Sequence, residues 1–432
     1  MKYKENKMQK KYSVVFIVRK INDLDHMLPL ICKFAKEGNF VRVMTLDVKK
    51  IDNYLTNYMY GKHNLKVETP VVNNINKISR FLVFIFDKFI ILAENNRWHT
   101  LLKYLKFIYR YTKRRILSRE DFKDSAIIDY DNTDIIIVDK TNVIKNKIYK
   151  NITKHASVNN IPIIRLQHGI DMRLTSIGDN SDLLVHDYGN KVFDIYYSIV
   201  EIYQETFSCR EECCGKKIGK NEIKTFVLGN MRFSKEWVKK YKEIEEFDKV
   251  SDPQVDIKKH NIVIIISAPH FIYADKVASL LNAVSDRFDV NIIYKPHTRH
   301  KEIDLRVKEL LNKNVRLIYS YKNTASLMSM SDIVLLCGNS SVALHAVIDA
   351  KPVIFAEYTT MHPTYYSKYL KECTSMSEDE ALSNIENILY KNIKCIKNNS
   401  KKKLVSAFIN PNNSKDIIED YYNLTCDLIH TQ

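Results

Sequence analysis

The sequence predicts an α/β protein in which short buried strands alternate with helices in two successive series. The first series opens with the apolar run at residues 11–18 (KYSVVFIV), a helical pattern and a second run at 40–46. The second series has apolar runs at 261–267 (NIVIIIS), 290–294 and 332–337. Such short continuous runs are typical of strands buried on both faces, and their alternation with helices predicts parallel sheets.

Length and composition restrict the class of protein further. A chain of 432 residues has room for two or three domains, and 45% hydrophobic residues exclude a disordered chain. Lys plus Arg number 67 against 51 Asp plus Glu, a net charge of +16. This excess of positive charge is compatible with three kinds of binding partner: nucleic acid, an anionic membrane surface or phosphorylated substrates. The interleaving of Lys with Glu argues against a nucleic-acid arm, so no nucleic-acid partner is expected.

The sequence predicts a cytoplasmic protein, free or peripheral on the inner face of the membrane. Its opening residues, MKYKENKMQKKY, are charged and lack the apolar core of a signal peptide. No run approaches the roughly 20 apolar residues that span a bilayer. The clustered cysteines Cys209, Cys213 and Cys214 lack a second Cys/His pair that would complete a zinc site.

A histidine follows a predicted strand at residues 161–166, in Gln167-His168-Gly169. Open α/β sheets bind ligands at the carboxyl ends of their strands, and glycine lets a backbone turn sharply there. Imidazole titrates near working pH, which makes His168 a candidate general base. A structural histidine is the alternative.

The first helix is expected to begin at about His26, after a loop that holds Asp23 and Asp25. His26 lies near the carboxyl end of the first strand, but a helix-start residue is the preferred interpretation.

The turn Gly338-Asn339-Ser340-Ser341 separates the strand at 332–337 from a helical pattern at 342–350. Unpaired N–H groups at a helix N-terminus and the helix dipole favour a phosphate there. Ser and Asn are also the usual N-cap residues, so an ordinary capped helix is the alternative.

A cationic segment, Lys295-Pro296-His297-Thr298-Arg299-His300, follows the strand at 290–294. Lys and Arg suit phosphate oxygens, and His297 could donate to the same group. A solvated basic loop is the alternative.

Residues 97–117 (RWHTLLKYLKFIYRYTKRRIL) combine apolar residues at helical spacing with a strong positive charge. This pattern fits an amphipathic helix on an anionic membrane surface, with Lys113, Arg114 and Arg115 facing the lipid head groups. A helix packed on the sheet with a solvated basic face fits equally well. The apolar positions are Leu101, Leu102, Leu105, Ile108 and Tyr109.

Three segments organise the chain. A charged stretch at 204–220 predicts a linker between a first domain at 1–205 and a second at 221–410. A helix within 411–432 is expected to pack back on the first domain.

Five motifs occur in an order that resembles the GT-B glycosyltransferase superfamily. The similarity is greatest to capsule and surface-polysaccharide transferases and to the CDP-glycerol glycerophosphotransferases of teichoic-acid synthesis. The resemblance implies two Rossmann-like domains whose parallel sheets face a central cleft, with the nucleotide donor bound mainly by the second. The motifs are Gln167-His168-Gly169, Gly229-Asn230-Met231-Arg232-Phe233, Lys295-Pro296-His297, Asn339-Ser340-Ser341-Val342 and Lys351-Pro352-Val353-Ile354.

The resemblance also implies roles for individual residues. His168 would be the base on the acceptor hydroxyl, and no metal or cofactor would be needed. Many superfamily members carry a Glu within the helix after the fourth motif, where this chain has Ala343-Leu344-His345-Ala346. Glu357 is a candidate substitute. The donor's phosphates would contact Lys295, His297, Asn339, Ser340 and Ser341, and Asn230 and Arg232 would lie at the donor or in the cleft.

The expected function is transfer of a sugar from a nucleotide-activated donor to a hydroxyl of a surface polysaccharide or a lipid-linked acceptor. Transfer of a polyol phosphate from a CDP-linked donor is one alternative. A non-catalytic nucleotide- or membrane-binding subunit of a polysaccharide synthase complex is another.

Overall fold

The computed structural model describes most of the chain. The described residues are 11–18, 21–45, 53–69, 128–139, 147–166, 199–203, 224–268, 271–297, 301–391 and 395–430, with isolated positions between them.

The first sheet has seven parallel strands in the order β3-β2-β1-β4-β5-β6-β9. Its strand order changes direction between β1 and β4, because successive strands are added outward on either side of that pair. The strands are β1 (Ser13–Val18), β2 (Phe40–Thr45), β3 (Val67–Glu68), β4 (Ile135–Asp139), β5 (Ile163–Leu166), β6 (Ile199–Tyr203) and β9 (Lys224–Val227), and a small hairpin adds β7 (Lys217–Ile218) and β8 (Asn221–Glu222). The helices among them are α1 (Ile21–Lys36), α2 (Tyr54–His63) and α3 (Lys147–Val158).

The second sheet has six parallel strands in the order β12-β11-β10-β13-β14-β15, with the same change of direction between β10 and β13. Its strands are β10 (His260–Ile266), β11 (Val290–Lys295), β12 (Leu317–Tyr319), β13 (Ile333–Cys337), β14 (Val353–Ala356) and β15 (Thr374–Ser375). The helices of this half are α4 (Lys235–Glu245), α5 (Ala274–Arg287), α6 (Lys301–Glu309), α7 (Thr324–Ser329), α8 (Ala343–Ile348), α9 (Tyr365–Tyr369), α10 (Glu378–Lys391), α11 (Asn398–Phe408) and α12 (Ile417–His430).

The burial of the strands explains why their apolar runs could be recognised in the sequence. Every residue of β13 is buried, and so is β1 from Val14 onward. A strand covered on both faces has no polar side to interrupt its apolar run. The two parallel sheets expected from the sequence are therefore both present.

Helix α1 begins at Ile21, five residues before the expected start. Asp23 and Asp25 were expected in a loop and instead lie in the first turns of this helix. Carboxylates are favourable there because they face the positive end of the helix dipole. His26 follows them within the helix, with its ring edge-on to Phe233 at 6.4 Å.

One further expectation about a helix was wrong. The helix after β13 is shorter than predicted and ends at Ile348 instead of about residue 350. This difference lies at a helix end, where the sequence pattern is least informative.

The chain passes between the two sheets twice. Strand β9 pairs with β6, so the first sheet extends to Val227, beyond residue 221 where the second domain was predicted to begin. Helix α12 then returns to the first sheet and packs on α1. Lys33 Nζ lies 2.5 Å from a carboxylate oxygen of Glu419, and the Phe34 and Tyr422 rings are 4.8 Å apart.

None of the helices in the described part of the chain is long and apolar enough to cross a membrane.

Candidate functional site

The turn after β13 lies at the point where the strand order of the second sheet changes direction. Strands β10 and β13 are neighbours there, and Ser267, just after β10, donates its N–H to the Cys337 carbonyl oxygen (3.0 Å). The connections after these two strands leave the sheet in opposite directions, which opens a crevice at their carboxyl ends. Ligands of open α/β sheets bind in this crevice. Gly338-Asn339-Ser340-Ser341 therefore occupies a ligand-binding position of the fold.

Gly338 allows this turn to approach β10 closely. Its φ is +99°, a conformation that residues with a side chain rarely adopt. A Cβ atom at this position would lie 2.5 Å from Ile272 Cγ2 and 2.7 Å from Ser267 Cβ. Only glycine therefore fits without movement of the surrounding chain.

The Ser267 side chain lies beneath this turn. It is 3% exposed, and its hydroxyl makes no hydrogen bond to any residue that the structure describes. A buried hydroxyl without a partner is unfavourable by about 1–3 kcal/mol. Ser267 thus adds an available donor to the turn, and it was not among the site residues predicted from the sequence. The only signal was its place at the end of the apolar run 261–267.

The turn is held in place from behind by α9. The Tyr366 hydroxyl donates to the Ser340 carbonyl oxygen at 2.8 Å, and the Tyr366 ring stacks on Phe355 at 4.0 Å. In the alternative of an ordinary capped helix, a Ser or Asn would be the N-cap residue of α8, but that residue is Val342, which makes no side-chain cap. The Ser340 hydroxyl accepts from the Val342 N–H at 3.4 Å. The Ser341 carbonyl oxygen instead accepts from Leu344 N–H (3.0 Å). Asn339, Ser340 and Ser341 are all partly exposed.

The predicted cationic residues lie on the β12 side of the same edge. Lys295 Nζ donates to the Lys322 carbonyl oxygen at 2.6 Å, in the loop after β12. Burial lowers the pKa of Lys295 to about 8, opposed by the carboxylate of Asp248. His297 follows two residues later, and its backbone N–H donates to Asp304 Oδ1 at 3.3 Å. The structure thus brings both residues to the carboxyl edge of the sheet. Lys295 lies at the end of β11, two strands from β13, and is hydrogen-bonded to the loop after β12.

Two predicted cleft residues make hydrogen bonds within the fold. Glu357 is buried after β14, where its carboxylate accepts from the Thr364 N–H (2.5 Å) and hydroxyl (2.8 Å). Asn230 is fully buried, and its N–H donates to the Ile409 carbonyl oxygen at 2.8 Å. Its side chain caps the turn that carries Arg232, accepting from Phe233 N–H (3.3 Å). Both residues shape loops at the cleft.

Arg232 forms a buried ion pair with Asp25 of α1. Its Nε donates to Asp25 Oδ2 at 2.7 Å, and its guanidinium lies 4.2 Å from the centre of the Tyr241 ring. The Tyr241 hydroxyl donates to Asp25 Oδ1 at 2.7 Å. The His345 ring of α8 meets the Tyr241 ring edge-on at 5.5 Å. We call Asp25, Arg232, Tyr241 and His345 the buried polar cluster.

The buried polar cluster joins elements of both halves of the molecule. Asp25 lies in a helix of the first sheet and His345 in a helix of the second. Burial by itself lowers the pKa of Arg232, but the Asp25 carboxylate outweighs that effect and the pKa is raised. The guanidinium is therefore charged, and the ion pair links the two domains.

His345 makes stability depend on pH. Burial, assisted by the charge of Arg232, lowers its pKa from 6.5 to about 3. Below pH 6.5 the unfolded chain binds a proton that the folded chain does not, so the free energy of unfolding falls as the pH decreases. Wild type should lose about 2 kcal/mol more than His345→Leu between pH 7 and pH 5, measured by urea unfolding.

The control for this experiment is His362→Leu, which removes an exposed histidine. It should lose the same stability as wild type over this pH range. An equal loss in His345→Leu and wild type would contradict a neutral, buried His345.

His168, Lys113, Arg114 and Arg115 lie outside the described residues. The described part of β5 ends at Leu166, two residues before His168. Its predicted role therefore stays a prediction.

No protein-family model matches this chain, and no curated protein matches it. Solved structures match along almost the whole chain. A protein from Listeria monocytogenes assigned as a UDP-N-acetylglucosamine 2-epimerase has a TM-score of 0.55 at 13% identity, covering 98% of this chain and 97% of its own. The UDP-N-acetylglucosamine 2-epimerase from Rickettsia bellii has a TM-score of 0.51 at 12% identity, covering 98% of each chain.

A plant protein is similar in the same way. UGT2 from Phytolacca americana, solved with UDP-2fluoro-glucose and pterostilbene, has a TM-score of 0.50 at 9% identity, covering 98% of this chain and 100% of its own. At these identities the similarity establishes the fold alone. The chain has the GT-B fold of two Rossmann-like domains with parallel sheets, which confirms the fold class predicted from the sequence.

Proposed function

We propose that this protein is a glycosyltransferase that moves a sugar from a nucleotide-activated donor to a hydroxyl of a growing surface polysaccharide or a lipid-linked acceptor. The observation that carries the proposal is the position of Gly338-Asn339-Ser340-Ser341 beside Ser267, at the change of strand direction in the second sheet. This is where a GT-B fold can hold an anionic leaving group.

The donor's diphosphate would bind to the turn and to the cationic edge beside it. The hydrogen-bond donors would be the hydroxyls of Ser267, Ser340 and Ser341 and the side-chain amide of Asn339. Gly338 lets the backbone of the turn come close to the phosphates. With a pKa of about 8, Lys295 is charged at neutral pH and makes the edge electropositive, and His297 offers a further hydrogen-bond donor. Fixed donors and positive charge stabilise the negative charge that grows as the sugar–phosphate bond breaks.

In this proposal the acceptor hydroxyl oxygen attacks the anomeric carbon of the donor sugar. The new carbon–oxygen bond forms as the bond to the diphosphate breaks, and the nucleoside diphosphate leaves. His168 takes the hydroxyl proton. No metal or cofactor has a role, so EDTA should leave turnover unchanged.

A donor screen tests the proposal. UDP-, CMP-, CDP- and GDP-linked compounds are titrated calorimetrically, and those that bind are incubated with a membrane-derived acceptor and EDTA. We expect a nucleotide sugar to bind and to lose its sugar to the acceptor. Turnover of CDP-glycerol, epimerisation of the sugar without transfer, or binding with no turnover would each overturn the proposal.

Gly338→Ala should weaken binding of the donor found in that screen by at least about tenfold. The added Cβ must displace the turn or Ser267 and Ile272, since it would approach both within 2.7 Å. Gly38→Ala is the matched control. Gly38 also has a positive φ (+77°), but a Cβ there meets only Lys11 Cε at 3.9 Å, in the turn between α1 and β2. If the two variants bind the donor with equal affinity, the turn at Gly338 is not part of the donor site.

A further inference from the structure

The structure exposes an apolar helix face that one interpretation of the sequence placed against the sheet. Leu101, Tyr104, Leu105 and Ile108 are helical, and their spacing puts them on one face. Leu101 is 45% exposed, Tyr104 64% and Ile108 42%, while Leu105 is partly buried. Large apolar side chains that share a face and contact solvent mark an interaction surface.

The surrounding sequence indicates what covers this face. Residues 97–117 contain seven basic residues and no Asp or Glu, within a chain of net charge +16. An apolar face that binds another protein needs no such excess of one charge. An anionic lipid surface offers both an apolar layer and negative head groups. The basic residues are Arg97, Lys103, Lys106, Arg110, Lys113, Arg114 and Arg115.

We propose that Leu101, Tyr104, Leu105 and Ile108 form a face that docks on the surface of an anionic lipid bilayer. An amphipathic helix of this kind lies in the plane of the interface, with its apolar face about 5–10 Å into the boundary between head groups and acyl chains. Tyrosine is enriched at that depth because its ring is apolar and its hydroxyl polar. The protein binds without a membrane-spanning helix.

The two kinds of residue contribute separately to binding. Each basic residue near an anionic surface raises the partition coefficient about fivefold at low salt, and this effect is screened as salt increases. Each large apolar side chain that enters the interface adds at least about tenfold. Neutral lipid should therefore bind the protein far more weakly than anionic lipid.

Co-sedimentation with vesicles tests the proposal. Wild type should bind vesicles of phosphatidylcholine and phosphatidylglycerol (1:1) and should not sediment with pure phosphatidylcholine. The variant Leu101→Ser/Tyr104→Ser/Ile108→Ser should bind the anionic vesicles at least about tenfold more weakly. Lys113→Gln/Arg114→Gln/Arg115→Gln should also bind at least about tenfold more weakly. Leu101, Tyr104 and Ile108 are exposed, so the triple Ser variant should keep the wild-type Tm.

The matched control removes exposed apolar side chains elsewhere, in Ile257→Ser/Tyr321→Ser, and should bind like wild type. The proposal is overturned if wild type ignores anionic vesicles or if the triple Ser variant binds them equally well. It is also overturned if light scattering shows that wild type is a dimer and the triple Ser variant a monomer. A second copy of the chain would then cover the face. The experiment uses no nucleotide donor, so its failure leaves the proposed function unaffected.

Discussion

Replacement of His168 by Ala is expected to lower kcat by about 10²–10⁴-fold, the range that a positioned general base contributes. The structure places Leu166 at the end of β5, on the carboxyl edge of the first sheet. In the sequence His168 follows two residues later, and β5 is the neighbour of β4, at which the strand order changes direction. Single-turnover measurements with the donor found in the screen separate the chemical step from binding, and the donor Kd should be unchanged.

His155→Ala is the control for this variant. His155 lies in the last turn of α3, which leads into the start of β5. It is therefore at the amino end of this strand, whereas His168 follows its carboxyl end in the sequence. It should turn over like wild type. A near-wild-type rate in His168→Ala would remove His168 from the role of base, whereas the donor site around Gly338 would still stand.

Arg232→Met should lower the free energy of unfolding by about 3 kcal/mol. The substitution leaves the Asp25 carboxylate without its cation, and breaking a buried ion pair from one side costs about 3–5 kcal/mol. The lower end applies because the Asp25 side chain is 21% exposed. The stacking of Arg232 on Tyr241 is lost as well. Urea unfolding at pH 7 measures the change.

A surface pair provides the comparison. Arg287 contacts Glu386 and lies 5.7 Å from the Phe288 ring, but the Arg287 side chain is exposed and that of Glu386 is partly exposed. Arg287→Met should therefore cost less than about 1 kcal/mol. Asp25→Asn combined with Arg232→Met should be more stable than Arg232→Met alone, because no unpaired charge remains. If the two single Arg variants lose similar stability, the Asp25–Arg232 pair contributes no more than a surface contact.

Local signals in the sequence predicted much of the second sheet. Strand β13 was placed within one residue because complete burial produces an uninterrupted apolar run. Ser234, a residue type that usually caps helices, accepts a hydrogen bond from Trp237 N–H at 3.2 Å through its hydroxyl. Both features depend only on neighbouring residues.

Contacts between distant residues could not be predicted in this way. From its sequence neighbours Asp25 was expected in a loop, because its ion-pair partner Arg232 is 207 positions away. Ser267 resembles the end of a strand until the backbone of Gly338 is placed above it. The Ser340 hydroxyl does accept from Val342 N–H at the start of α8, but no sequence pattern indicated that the Tyr366 hydroxyl donates to the Ser340 carbonyl oxygen. Each case depends on tertiary packing, about which the local pattern carries no information.

The return of α12 to the first sheet affects the order in which the protein can fold during synthesis. Tyr12 at the start of β1 pairs its hydroxyl with His430 Nε2 at 2.6 Å, across 418 positions of sequence. Phe34 on α1 remains uncovered until Tyr422 has been made. Domains usually complete their folding in the order of translation. Here the domain that is translated first is completed last, so its α1 surface stays exposed while the second sheet assembles.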